Sequence, residues 1–195
     1  MNSGSSNRQL RHHHHRIVAH RAAGHAVAAI VLGLPWATYR ASVSGEPGDC
    51  EDSIMESLGD LHLDDPELGR KAIDLITGVM AGELAAGMAK GRPTDDPAPH
   101  APGVSILDRL LIVATCTPII GPGGVARFTR GEIDRNAAAI DALRQSATQR
   151  TRRLLGHHWG AVTKVAALIE RHGSLSPDRV RAIVAKYAMP TAPAA

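Results

Sequence analysis

Two histidines sit inside the first long apolar stretch of this chain, His20 and His25, within HRAAGHAVAAIVLG (20–33). Histidines four residues apart on a helix share one face and can hold a divalent metal ion. A glutamate directly after the first can then take a proton from the metal-bound water. This stretch departs from that arrangement at both points. Each helical residue turns by about 100°, so positions four apart differ by about 40° and positions five apart by about 140°. His20 and His25 are five apart, so a regular helix aims them in different directions. Arg21, four residues before His25, holds the place of the first ligand, and Ala22 holds the place of the glutamate.

A π-bulge between the two histidines would realign them, and such bulges do occur at functional sites. The alternative for His25 is a buried helix histidine satisfied by a neighbour. No carboxylate lies within a helical turn of it in the sequence, so a general base would have to come from another element. The catalytic positions Arg21 and Ala22 are therefore read as degenerate. The acidic segment 46–65 carries Glu46, Asp49, Glu51, Asp52, Glu56, Asp60, Asp64 and Asp65 around Cys50. It lacks regular ligand spacing and reads as a solvated loop.

The elements that must position these residues are mostly helices. Of the 195 residues 44% are hydrophobic but only 3% aromatic, and the abundant alanine favours close-packed helices. Ile17 to Leu32 predicts a buried central helix, stopped by Gly33 and Pro35. WATYRASVSG (36–45) predicts a strand. Asp65-Pro66 predicts a helix start, running to about Lys90 before the loop GRPTDDPAPHAPG. Ser105 and Asp108 fit a capping box for a helix to about Ala114, which TPIIGPGG breaks. Thr129 and Glu132 fit a second, opening a long helix to about Leu155. Helices at about 159–172 and 177–187 follow. The expected fold is mainly α, a helical bundle of about six helices with at most a small β element. Residues 1–15 are expected as a disordered His-rich tail, 16–188 as the domain, and 189–195 as a second tail. The tract RHHHHR (11–16) reads either as a metal-collecting segment or as a basic tail.

The charge of +3 is too small to announce a nucleic-acid partner, and two cysteines make no disulfide framework. The longest apolar runs, Ala22 to Pro35 and Leu110 to Ile120, are too short to span a bilayer, so no membrane segment is expected. The absence of a signal-peptide pattern points to a cytoplasmic protein.

IVAHRAAGHAVAAIVLGLP (17–35) resembles the active-site helix of the FtsH-type AAA-protease zinc peptidase domain, whose pattern is roughly AYHEAGHA followed by a glycine and a proline. Ala19 and His20 fall on its AY, Arg21 on its first zinc histidine and Ala22 on its catalytic glutamate. Ala23, Gly24, His25 and Ala26 match AGHA directly. VMAGELAAGMAKG (79–91) looks like the family's second helix, where the resemblance implies that Gly82, Ala85 and Ala86 pack closely against the active-site helix. The family's third ligand is an aspartate. In GVSILDRLL (103–111) the aligned position holds Ile106, with Asp108 offered by a small shift. EIDRNAAAI (132–140) offers Asp134. The closing segment HHWGAVTKVAALIERHGSLSPDRVRAIV (157–184) is similar to the last helices of small relatives of this domain.

The resemblance implies zinc as the cofactor, with His25, His20, Asp108 and Asp134 as the residues available to hold it. It also implies unfolded peptide or a partner protein as what the domain binds. The first zinc histidine and the catalytic glutamate are missing, so an impaired or inactive peptidase-type domain acting as a binding or regulatory module is expected. An active metal-dependent endopeptidase with a rearranged site is the first alternative. A helical nucleic-acid or protein-binding module using Arg144, Arg150, Arg152 and Arg153 is the second. That arginine face lacks interleaved aromatics and a DNA-binding motif, so nucleic acid is not the expected partner. No GxxxxGK[ST] phosphate loop is present, so no ATP site is expected.

Overall fold

The structure, a computed structural model, describes residues 3–38, 40–42, 68–91, 106–116, 119–120, 126–127 and 129–187. Seven α-helices run in chain order among them: α1 (Ser3–Leu32), α2 (Leu68–Ala89), α3 (Ile106–Thr115), α4 (Arg130–Arg135), α5 (Ala137–His157), α6 (Trp159–His172) and α7 (Pro177–Tyr187). Four two-residue strands accompany them: β1 (Ala41–Ser42), β2 (Ile119–Ile120), β3 (Ala126–Arg127) and β4 (Ser174–Leu175). They form two antiparallel ladders. Ala41 opposes Leu175 in the first, and Ile119 opposes Arg127 in the second. The fold is mainly α.

α1 ends as its sequence requires. Gly33 takes φ +65°, the left-handed conformation that glycine adopts without steric cost, and the Leu34 amide reaches back to the Ala29 carbonyl at 2.8 Å. Its start differs from expectation. The helix begins at Ser3, so the segment expected as a disordered tail continues the helix, each added residue gaining one backbone bond once the turn exists. His13, His14 and His15 are exposed on it.

Ala19, Ala23 and Val27 form a fully buried stripe along α1 at a spacing of four residues. That stripe packs chiefly on α2 and α6. α1, expected as a central helix, meets α2, α5, α6 and α7, and α2 lies buried beside it. Leu75, Ile76, Thr77, Met80, Ala81, Leu84 and Ala85 are all buried, because α2 meets α1, α3 and α5 on separate faces, whereas α1 leaves Arg21 and Val31 exposed. By length and composition, and unlike the runs weighed from sequence, Lys71–Ala89 is long and apolar enough to cross a membrane. Most of it is enclosed by the other helices, and that burial accounts for its apolarity.

Small residues make the α1–α2 approach close. A Cβ added at Gly24 would stand 2.5 Å from the Ala81 carbonyl oxygen and 2.6 Å from the Ala85 Cβ. On the other partner, Gly78 is covered by Leu34 and the Trp36 ring, and Gly82 by His25. This explains the shortened strand. Pro35–Thr38 turns as a single 3-10 segment that lays the buried Trp36 over Gly78, and only Ala41–Ser42 of the expected strand is extended among the described residues.

The long helix expected from Thr129 is broken. Thr129 caps it as foreseen, its hydroxyl accepting the Glu132 amide at 3.3 Å. At Asn136 the backbone leaves the helix, and the Asn136 side chain donates to the Glu132 carbonyl at 2.9 Å, offering the backbone a local alternative to helix. The openings expected at Asp65-Pro66 and Ser105, the loop 46–65 and the tail from 189 lie outside the described residues.

Gly24→Ala is expected to destabilise the protein by about 1–3 kcal/mol through overpacking. Gly156→Ala, inside α5 with nothing within 4 Å of the added methyl, is expected to be neutral or stabilising by up to about 1 kcal/mol. Urea unfolding of the two variants checks the opposite signs.

Candidate functional site

α1 passes through residues 20–25 as regular α-helix, without a π-bulge, so the two histidines do face different neighbours. His20 is buried toward α6. Its Nδ1–H donates to the Arg16 carbonyl at 2.8 Å, and its ring lies tilted beside Trp159 with centroids 5.9 Å apart. His25 points at α2. Its Nδ1 lies 3.0 Å from the Gly78 carbonyl oxygen. A carbonyl only accepts, so Nδ1 carries the proton and the neutral ring leaves Nε2 bare.

That tautomer suits a metal ligand, since ligating histidines commonly donate their other nitrogen to a carbonyl. The surroundings do not. An ideal Cβ on Gly82 would lie 2.1 Å from His25 Nε2, 2.3 Å from Cδ2 and 2.6 Å from Cε1, so α2 lies against the face of the imidazole ring. Arg21, one turn before His25 on α1, forms an ion pair with Glu83 of α2. A guanidinium and its carboxylate partner thus flank the imidazole where the implied zinc site would have a ligand.

The other residues considered for zinc are engaged or placed elsewhere. Asp108, on α3, accepts a hydrogen bond from Arg144 of α5 at 3.0 Å. Asp134 is exposed on the short helix α4. His20 is turned to Trp159. Among the described residues, no three His, Cys, Asp or Glu side chains gather as a metal-ligating group. The described residues therefore do not by themselves assemble the zinc centre that the sequence resemblance implies.

Burial governs the electrostatics of the seam. Desolvation holds the His25 pKa down from 6.5 to about 4. The Gly78 hydrogen bond opposes that shift, and the nearby Arg21 charge adds to it. A second histidine, His158 at the α5–α6 junction, is also shifted down by burial and then by His157, whose ring it meets edge-on at 5.8 Å. The arginine face considered for nucleic acid is partly consumed within the fold. Arg144 holds Asp108, and Arg150 forms an ion pair with Asp74.

The close packing expected of Gly82 and Ala85 is present: one accommodates the His25 ring, the other meets Gly24. Gly78 and Glu83, which satisfy His25 and Arg21, carry no local motif that marks them as partners. The one trace of Gly78 is a small-residue pattern, since Gly78, Gly82 and Ala86 recur at one helical face of α2. A scan of the chain against models of known protein families matches none, and a search of curated proteins likewise finds no match.

The pH dependence of stability follows from His25. Above about pH 6.5 the ring is neutral in both folded and unfolded chains. Between 6.5 and about 4 the unfolded chain binds a proton that the fold refuses, so stability falls with pH, and the loss levels off below about 4. The full effect is roughly 3 kcal/mol. Urea unfolding measured across this range is expected to show a shallower slope for His25→Asn than for the unaltered chain.

Proposed function

We propose that the chain is a non-catalytic helical binding module, related in its α1–α2 pair to the FtsH-type zinc peptidase domain and lacking that domain's chemistry. One observation carries this reading. The helix face that would present the metal ligands is engaged with α2, with His25 on Gly78 and Gly82 and the exposed Arg21 paired to Glu83. Ala22 supplies no proton-accepting group beside it, and the imidazole is used to join two helices.

The module binds unfolded polypeptide or a partner protein through its outer surface. Nucleic acid is the weaker reading, because Arg144 and Arg150 are ion-paired to Asp108 and Asp74. A reducing, cytoplasmic setting agrees with the buried free thiol of Cys116.

The experiment is a joint assay of metal and cleavage on untagged protein. Zinc well below one equivalent is expected, with saturable binding of unfolded casein and no shortening of it. One equivalent of zinc that disappears in His25→Ala would overturn the proposal, as would casein cleavage stopped by a chelator.

A further inference from the structure

The two helices that flank the α1–α2 pair are attached to it by different forces. α6 docks through Ala161, Val162, Val165, Ala166 and Ile169, an unbroken apolar stripe. α5 buries only Ile140, Ala147, Thr151 and Leu155 over its whole length. Its inward positions recur as Ile140, Arg144, Ala147, Thr151 and Leu155, so charge and hydroxyl interrupt the stripe. The polar members each find a partner on the helices beneath. Arg144 donates to Asp108 of α3, Arg150 pairs with Asp74 of α2, and the Thr151 hydroxyl lies 3.4 Å from the Thr77 carbonyl while donating to Ala147 at 2.8 Å.

We propose that α5 is an ionically latched arm, which leaves α2 and α3 as a unit when its Arg144–Asp108 and Arg150–Asp74 pairs are screened or removed, while α1, α2 and α6 stay folded together. Four features support this. Both ion pairs are partly exposed, so dissolved salt reaches them, unlike the dry contacts of α6. Only Ile140 and Leu155 are fully enclosed among the large side chains of α5, with Leu143 and Leu154 packed partly exposed at its margins, which is little for twenty-one residues. α4, which precedes it, fully buries no residue and is held only by the partly exposed Ile133. The helix is also interrupted at both ends, at Asn136 (φ −98°, ψ 6°) and at His158 (φ −107°, ψ 16°), giving two points where it can swing without bending. Undocking uncovers the face of α2 around Asp74 and Thr77, so the arm decides when that surface is available.

The test is amide hydrogen exchange on the full chain, read helix by helix at about 50 mM and about 500 mM salt. Exchange in α5 is expected to quicken roughly tenfold at the higher salt, with α1, α2 and α6 unchanged. Arg144→Gln combined with Arg150→Gln should reproduce the fast exchange at low salt and abolish its salt dependence. Exchanging the charges of the outer pair, Asp74→Arg with Arg150→Asp, should bring protection of α5 back toward that of the unaltered chain. Exchange in α5 that ignores salt would overturn the proposal. So would a loosening of all helices together, since the arm would then be an integral part of one cooperative unit. The salt series on the unaltered chain decides the matter even where the variants fail to fold.

Discussion

The bundle depends on how closely α1 approaches α2. Gly24 on α1 removes the side chain that would hold it off the Ala81 carbonyl and Ala85 of α2, while Gly82 of α2 makes room for the His25 ring and Gly78 for Leu34 and Trp36 beyond α1. Helices that meet through Leu or Ile lie about 8–10 Å apart, and small residues allow the nearer end of that range. The gain is dense contact between backbone atoms, and the constraint is that no methyl group can be added at Gly24 without moving a carbonyl. A chain with few aromatics fills its core in this way. Fully buried Ala19, Ala23, Ala28 and Ala29 do the work that larger residues do elsewhere.

His25 lies in that seam and is shaped by it. Its Nδ1–H satisfies the Gly78 carbonyl, which already serves the α2 backbone, while the ring fills the hollow over Gly82. A charged imidazole has no acceptor on that side and a neighbouring guanidinium in Arg21, so the fold holds the ring neutral. Arg21 in turn reaches outward to Glu83, keeping its own charge near solvent and paired. One turn of α1 thus contains a half-buried neutral base and an exposed cation, set by the same helical spacing that would have aimed two ligands at one metal ion.

The outer helices grade from dry to wet. α6 and α7 bury aliphatic stripes, Ala161 to Ile169 and Val180 with Val184, and the Ala41–Leu175 pairing ties their connecting turn to the segment after α1. α5 mixes arginine and threonine among the apolar residues of its inward face and meets α2 and α3 through hydrogen bonds and ion pairs as well as through Ile140 and Leu155. Apolar contacts are indifferent to salt and strengthen with area, whereas partly exposed ion pairs are weak and screened. The two sides of the same core are therefore held with different tolerance to their surroundings.

Much of this was legible in the residues themselves. Local signals are short-range, so Gly33 after α1, Thr129 before α4 and Ser176-Pro177 at the start of α7 mark helix ends wherever the chain goes. The five-residue spacing of His20 and His25 likewise dictated that they diverge, because helical pitch is a property of the backbone alone. Asn136 shows the limit of such signals, since an asparagine inside an apolar-periodic run reads as an ordinary surface position until its amide is seen to take the Glu132 carbonyl. What the neighbours of each side chain are was decided only by the tertiary structure. Gly78 stands fifty-three residues from His25, and Asp108 thirty-six from Arg144. No local pattern encodes which carbonyl or carboxylate a side chain will meet at such separations. The sequence determined that Arg21 and Ala22 lack the chemistry of a ligand and a base. Packing alone decided that His25 would be spent on joining two helices, because only the closeness of α1 to α2 brings Gly78 within its reach.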